Sequence, residues 1–314
     1  MSVIVFGSLN MDLVSRTPRL PLPGETIIGS NFFTTPGGKG ANQAVAIARL
    51  GIPTVMIGRV GGDAFGQELL AALQAATVDI SGVMVDGSTH SGVAIITVTD
   101  MGENQIIGVL GANAQMNDTD VERLQQQIPQ TKVLMLQLEI PIPVVKAAAK
   151  AAHAAGVVVM LDPAPAPVES IADLYPFVDF LLPNEVEAGQ LVGFSVNSPE
   201  TAAKAASILQ QQGVKTVVIK LGAQGVFCAS PDVTLFVPAF SVNAIDTVAA
   251  GDAFAGGFAA ALVEGLPLQQ SLTWGCAAGA LATTKVGAQA AMSDRAPFLS
   301  FLAQHKVNFS NSQL

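Results

Sequence analysis

The sequence predicts an α/β fold: a central, mostly parallel sheet with helices on both faces, plus a small β-sheet lid. Three observations predict it. Beyond Gly111 short apolar runs alternate with helix-period segments, the rhythm of a parallel sheet covered on both faces. Near residues 13–35 and 90–113, β-branched and aromatic residues between glycines form hairpin-like pieces outside that rhythm. Of the 314 residues, 50% are hydrophobic and 12% charged, enough for one large domain with a small appendage.

The elements follow in order. "VIVFGS" is a buried first strand ended by Gly. "GETIIGSNFFTTPGG" reads as exposed strand pieces. "ANQAVAIARLG" is a helix closed by Gly51, "TVMIGRVG" a strand and "AFGQELLAALQAA" a helix. "SGVAIITVTD" and "NQIIGVLG" flank "MGE" as a hairpin. Helix "DTDVERLQQQI", strand "KVLMLQL", helix "PVVKAAAKAAHAAG" and strand "VVVMLDP" come next. "VDFLLPN" is a strand, "EVEAGQLVG" and "PETAAKAASILQQQG" are helices, and "KTVVIKLG", "GVFCAS" and "TLFVPAF" are strands. The last third is mostly helical. The domain is expected to span residues 1–305, and the polar end, 306–314, to be disordered.

Composition excludes several function classes. A net charge of −9 offers no sequence-independent attraction to nucleic acid or to an anionic membrane. A small anion can still be held by a helix N-terminus or a metal. Cys228 and Cys276 make no disulfide framework and fit a reducing cytoplasm. The N-terminus lacks the basic region of a signal peptide. The apolar stretch Ala253–Val263 is too short to span a bilayer. His90, His153 and His305 are scattered and suggest no metal cluster.

In an open parallel sheet, ligands bind at the carboxyl ends of the strands. Asn10 and Asp12 follow the first strand, Glu139 follows "LMLQL", Asn184 follows "FLLP" and Gly222 follows "VVIKL". "TPGGKGANQAV" resembles a phosphate loop but is not a Walker A motif: Phe33 stands where that motif needs Gly, and Gly40 follows Lys39 where it needs Ser or Thr. It is either a flexible turn capping a helix or a loop whose backbone N–H groups face a ligand. Asn42, just after it, offers both a donor and an acceptor.

"DTVAAGDAFAGG" is the most suggestive stretch. Its small residues let backbone N–H groups point outward at a helix start, making a concave anion site. Asp252 in that first turn is either a cap or a base that accepts the proton of an attacking hydroxyl. The clearance on both sides favours the base, since a cap needs none. In "PNEVE", Asn184 and Glu187 share a helix face. Such oxygen ligands, acting through water, suit Mg²⁺, although Asn and Glu after Pro also simply start helices.

Taken together these motifs resemble the PfkB, or ribokinase-like, family of sugar and nucleoside kinases. One family signature reads "GGKGANQA", followed by Gly51 and Gly61. The other reads "DTVAAGDAFAGGFA", about 200 residues later. The resemblance covers about residues 2–305 and implies a Rossmann-like, ribokinase-like fold. Within the family, "GSLNMD", "GANA", "QLE", "DPAPA", "PNEVE" and "GAQ" point to ATP-dependent phosphorylation of D-ribose at its 5-hydroxyl. The resemblance implies that Asp12 binds two sugar hydroxyls, with Asn10, Gly38, Lys39, Asn42 and Glu139 completing the pocket. Asp252 is then the base, and Ala249, Ala250 and Gly251 supply the anion-hole N–H groups. Asn184, Cys276 and the run Lys220, Leu221, Gly222, Ala223, Gln224 and Gly225 line the nucleotide. Glu187 holds Mg²⁺ through water. A monovalent cation, K⁺ in relatives, sits by Asp246, Val248, Ala282, Lys285, Gly287 and Ala291.

Three positions depart from the family pattern: Ala291 for Ser, Ala255 for Asn, and Cys276 for His or Asn. Two alternatives keep the fold. One is a kinase for 2-deoxyribose, fructose or a nucleoside. The other is a sugar-binding regulator without catalysis, which the presence of Asp252 and Gly251 disfavours. A Rossmann dinucleotide site would need G-x-G-x-x-G after the first strand, where "FGSLNMD" stands. Exposed strands of the lid are expected to pair two copies into a homodimer.

Overall fold

The computed structural model describes residues 2–305. The expected tail disorder over 306–314 lies outside the described residues. In chain order the elements begin with β1 (Ser2–Phe6), β2 (Asn10–Thr17), β3 (Asn31–Gly37), α1 (Lys39–Arg49), β4 (Thr54–Gly61), α2 (Ala64–Ala75), β5 (Asp79–Asp86), β6 (Gly92–Thr99) and β7 (Asn104–Val109). The alternating part follows: α3 (Asp118–Gln127), β8 (Thr131–Leu136), α4 (Ile142–Ala154), β9 (Val158–Leu161), β10 (Phe180–Leu181), α5 (Glu185–Val192), α6 (Pro199–Gln211) and β11 (Thr216–Lys220). Strands β12 (Gly225–Ala229) and β13 (Thr234–Pro238) precede α7 (Ala250–Glu264), α8 (Leu268–Thr283) and α9 (Arg295–Gln304).

Nine strands form the main sheet in the order β13-β12-β11-β10-β9-β8-β1-β4-β5. All neighbours are parallel except β11–β12 and β12–β13. Period-two alternation divides β1 between two cores. Val3 and Val5 pack with α1, α7 and α8, whereas Ile4 and Phe6 pack with α3, α4 and α6. The strand therefore reads as continuously apolar because both of its faces are covered. Helix α7 is buried from Asp252 through Ala261, so its apolar character all round matches its environment.

From β1 the chain winds one way through β4 and β5, then returns and winds the other way from β8 to β11. The reversal lies between β1 and β8, whose carboxyl ends therefore border the crevice where ligands bind in such sheets. The second sheet, β3-β2-β6-β7, stands apart. Strands β2 and β6 are parallel; β2–β3 and β6–β7 are antiparallel. It leaves Phe32, Ile95, Ile106 and Ile107 exposed.

The structure differs from the sequence reading in three places. The segment 79–86 is an additional edge strand, β5; Ser81 and Gly82 interrupt its apolar run, and an edge needs less apolar surface than a central strand. Asn10 and Asp12 do follow β1 but already lie inside β2, so the small sheet begins earlier than residue 13. Residues 24–29 form no strand, and the small sheet takes up only Asn31–Gly37 from that stretch.

Candidate active site

The turn from β3 into α1 lies directly on β2. Gly38 caps α1 with φ +88°, and a Cβ there would sit 2.6 Å from the Asn10 nitrogen. A Cβ on Gly37 would overlap the Asp12 carboxylate. Only glycine permits this approach, which puts Asp12, Asn10 and Lys39 side by side. Glu139, beyond β8, joins them. Its Oε2 accepts from Ser8 Oγ at 2.5 Å, Lys39 N at 3.0 Å and Asn10 Nδ2 at 3.3 Å. Three donors on one oxygen hold that carboxylate still.

Asp252 sits in the first turn of α7, 4% exposed. Asn42 Nδ2 donates to its Oδ2 at 3.0 Å, and Gln43 Nε2 to its Oδ1 at 3.1 Å. The Asn42 oxygen is buried and without a partner, which leaves an acceptor beside Asp252. Ahead of Asp252, Ala249 adopts the left-handed conformation with φ 56°, unusual for a residue with a Cβ and worth roughly 1–3 kcal/mol. It turns the chain so that the N–H groups of Ala249 and Gly251 meet no protein acceptor among the described residues. The Ala250 N–H donates to the Thr247 carbonyl at 3.2 Å.

A cavity of about 760 Å³ opens on this turn, within the range of small-molecule sites. Asn184, Glu187, Lys220, Gly222, Ala223, Gly225 and Cys276 line it together with Ala249 through Asp252, and Lys39 reaches it from the other side. Leu221 points into the core, and the Gln224 side chain donates to the Asn197 carbonyl. These two therefore offer the cavity backbone at most. Asn184 and Glu187 form a capping box: Asn184 N donates to Glu187 Oε2 at 2.8 Å and Glu187 N to Asn184 Oδ1 at 2.8 Å. Capping and cavity lining are thus both true of this pair.

Three residues of the network escaped the sequence reading. Gln43 Nε2 donates to Asp162 Oδ2 at 3.0 Å as well as to Asp252. Gln137 Nε2 donates to Gln43 Oε1 at 2.6 Å, and Lys220 pairs with Asp162 Oδ1 at 3.2 Å. The signal was available for Asp162 and Gln137, since both directly follow an apolar strand, as Glu139 nearly does. Phe240, Ser241 and Thr283 also line the cavity; nothing in "PAFSVN" or "ATTK" marked them.

The electrostatics follow from crowding. Burial pushes Asp12 up to about 7, with the charges of Glu139 and Asp252 adding to the rise. Burial raises Asp252 above the usual carboxylate range, Lys39 opposes, Asp162 adds, and the Asn42 and Gln43 donors pull back. Burial draws Lys39 down, but Asp252, Asp162, Glu139 and Glu187 together carry it above its ordinary value. Glu187 is raised by burial and by Asp162, against Lys220, the Asn184 N–H and Lys39. Burial pushes the Cys276 thiol up to about 12, so it lines the cavity as a neutral group.

Two clusters thus meet at Asp252: a carboxylate-rich pocket under the small sheet, and a cavity on an open helix N-terminus. Residues 1–295 match the pfkB family of carbohydrate kinases. The chain belongs to that family. The Haemophilus influenzae protein named ribokinase is 40% identical over 96% of this chain and 98% of its own. The deoxyribokinase of Salmonella typhi is 33% identical over 96% of this chain and 99% of its own. An Arabidopsis thaliana ribokinase structure, complexed with ribose and ATP, superposes with a TM-score of 0.89 at 34% identity, covering 96% and 98% of the two chains.

The last candidate group of this pfkB chain lies beside α7. Asp246 Oδ1 accepts from Val248 N at 3.0 Å and Oδ2 from Gly287 N at 2.9 Å, while Asp246 N donates to Thr283 O at 3.1 Å. These bonds join the loop before α7 to the one after α8, which carries Lys285 and Gly287. Ala282 and Ala291 are fully buried.

Proposed function

We propose that this chain transfers the γ-phosphoryl group of ATP to the 5-hydroxyl of D-ribose, yielding ribose 5-phosphate and ADP. The observation that carries this is the position of Asp252, buried between the Asp12–Asn10–Glu139 pocket and the open N–H groups of Ala249 and Gly251. The ribokinase relatives support ribose as acceptor.

Asp12, Asn10, Lys39, Asn42 and Glu139 would hold the sugar, the free Asn42 oxygen and the Asp12 carboxylate accepting its hydroxyl protons. Gly38 leaves the room for it. Asp252 would take the proton of the attacking hydroxyl, contributing ~10²–10⁴ in rate. Gly251 and Ala249 N–H groups, and that of Ala250 once released from Thr247, would face the charge developing on the phosphoryl oxygens. Lys220, Asn184, Cys276 and the Gly222–Gly225 turn would border the nucleotide. Closure of the small sheet would keep water, a competing acceptor, from the phosphoryl group.

No group of three metal-ligating side chains occurs among the described residues. That donor set fits Mg²⁺ held chiefly by phosphates and water, with Glu187 and Asp162 lining the same cavity, the mode Mg²⁺ prefers. When bound, the ion would neutralise charge on the phosphates. A monovalent cation at the Asp246 loops would have to rest on backbone carbonyls, because Ala291 brings no side-chain oxygen and both Asp246 oxygens are taken by Val248 N and Gly287 N. The exposed apolar strands of the small sheet support a homodimer, which sedimentation equilibrium showing only monomer at micromolar concentration would exclude. Cys228 and Cys276, buried and free, support a cytoplasmic setting.

A second reading, 2-deoxyribose as acceptor, is favoured by the deoxyribokinase likeness. The deciding experiment is ADP release with Mg²⁺-ATP across ribose, 2-deoxyribose, fructose and nucleosides, in K⁺ and in Na⁺. The proposal expects ribose to give the highest kcat/KM. Preference for another acceptor would overturn the substrate, and sugar binding without turnover would overturn the kinase.

A further inference from the structure

The fully buried side chain of Asn113 has no place in the chemistry above, yet it touches the sugar pocket from behind. It lies on the one-turn segment Gly111–Gln115, where the chain leaves β7 and re-enters the main domain. Its Oδ1 accepts from Leu9 N at 3.0 Å and its Nδ2 donates to Leu9 O at 3.0 Å. The amide thus pairs with Leu9 as a neighbouring strand would. Leu9 is the point where the chain passes from β1 in one sheet to β2 in the other, and a backbone there must find its partners outside a regular ladder. The same Nδ2 donates to Asn10 Oδ1 at 2.8 Å.

That last bond decides which way the Asn10 amide faces. With Oδ1 taken by Asn113, Asn10 Nδ2 is left to donate to Glu139 Oε2. Gly92, at the start of β6, guards the contact: a Cβ there would collide with both Asn10 Oδ1 and Asn113 Nδ2. We propose that Asn113 is a positioning residue that sets the orientation of Asn10, and through it Glu139, for sugar binding. It does so by joining the outgoing and returning crossings between the two sheets. This rests on the sugar-pocket reading of Asn10 and Glu139.

Two variants test it from different elements. Asn113→Asp keeps the acceptor for Leu9 N but sets an oxygen against Asn10 Oδ1. Gly92→Ala drives a methyl group between the same two atoms. Both are expected to raise the ribose KM by about tenfold or more, with the ATP KM held within about twofold, as loss of a buried hydrogen bond on one substrate's side implies. Their effects should be less than additive, because both break one contact. A folded variant with unchanged ribose KM, or parallel rises in both KM values, would overturn the assignment. Crystallography of Asn113→Asp decides it without turnover. The Asn10 amide should leave Glu139, and its retention at 3.3 Å would overturn the proposal even if ribose proves not to be the substrate.

Discussion

The two sides of Asp252 are built on opposite principles. On the proposed nucleotide side the start of α7 offers backbone: Ala249 in a left-handed conformation, Ala250 and Gly251, all within one continuous stretch. On the proposed sugar side the pocket offers side chains. Asn10 and Asp12 come from β2, Lys39 and Asn42 from α1, and Glu139 from beyond β8. Backbone binding suits a phosphoryl group, whose oxygens present the same charge in every orientation. Side-chain binding suits a sugar, whose hydroxyls must be told apart by direction. On the proposed reading one side serves rate and the other recognition, so each should be breakable separately.

The largest effect is expected at the junction. Asp252→Asn should lower kcat by ~10²–10⁴, read by steady-state kinetics, with the melting temperature little changed because an amide replaces a buried, destabilised carboxylate. A control away from both sides is Asp120, fully buried and paired with Arg59 and Arg123. Asp120→Ala should cost about 3–5 kcal/mol of stability by taking the short-range partner from buried Arg59, which keeps only Asp86 at 3.6 Å, measured by urea unfolding, while the KM values of the surviving fold stay put. A smaller loss is expected from Gly38→Ala. Its φ of +88° and the 2.6 Å approach to Asn10 N should cost about 1–3 kcal/mol and raise the sugar KM without touching the ATP KM.

The mildest test is pH. Asp12 is raised to about 7, and sugar hydroxyls are best accepted by its ionised form. Ribose affinity should therefore be full above neutrality and fall as pH drops through 7, weaker at pH 6 than at pH 8 by about tenfold. Stability of the ligand-free protein should run the other way. Folding raises this pKa, so its contribution is present below the ordinary carboxylate value and is lost as pH rises through about 7. Calorimetric titration and thermal melts across pH 5–9 check both signs.

The same contrast accounts for what could be read from the sequence. The α7 stretch was legible as a site because Asp252 and the cavity-lining residues Ala249–Gly251 are contiguous, and small residues on both sides of an Asp leave room at the backbone. Strand–helix alternation was legible because β1 and β8 to β11 are covered on both faces. The proposed sugar pocket was not derivable from spacing, because it forms only when three segments distant in sequence meet; the family resemblance supplied its proposed members. Gln43, Asp162 and Asn113 were missed for a related reason. They act by holding other side chains; Asp162 carried a local signal, its place directly after an apolar strand, whereas nothing local distinguishes Gln43 or Asn113 from an ordinary buried polar group. Strand β5 was missed because an edge carries a weaker apolar pattern.

Whether rate and recognition are truly divided at Asp252 comes down to kcat and ribose KM for Asp252→Asn and Asp12→Asn, side by side in the same ADP-release assay. Asp252→Asn should lose rate with ribose KM nearly unchanged, and Asp12→Asn should raise ribose KM while retaining most of its kcat. If both variants lose kcat and ribose affinity in the same proportion, the two sides are not separate devices and the division is wrong.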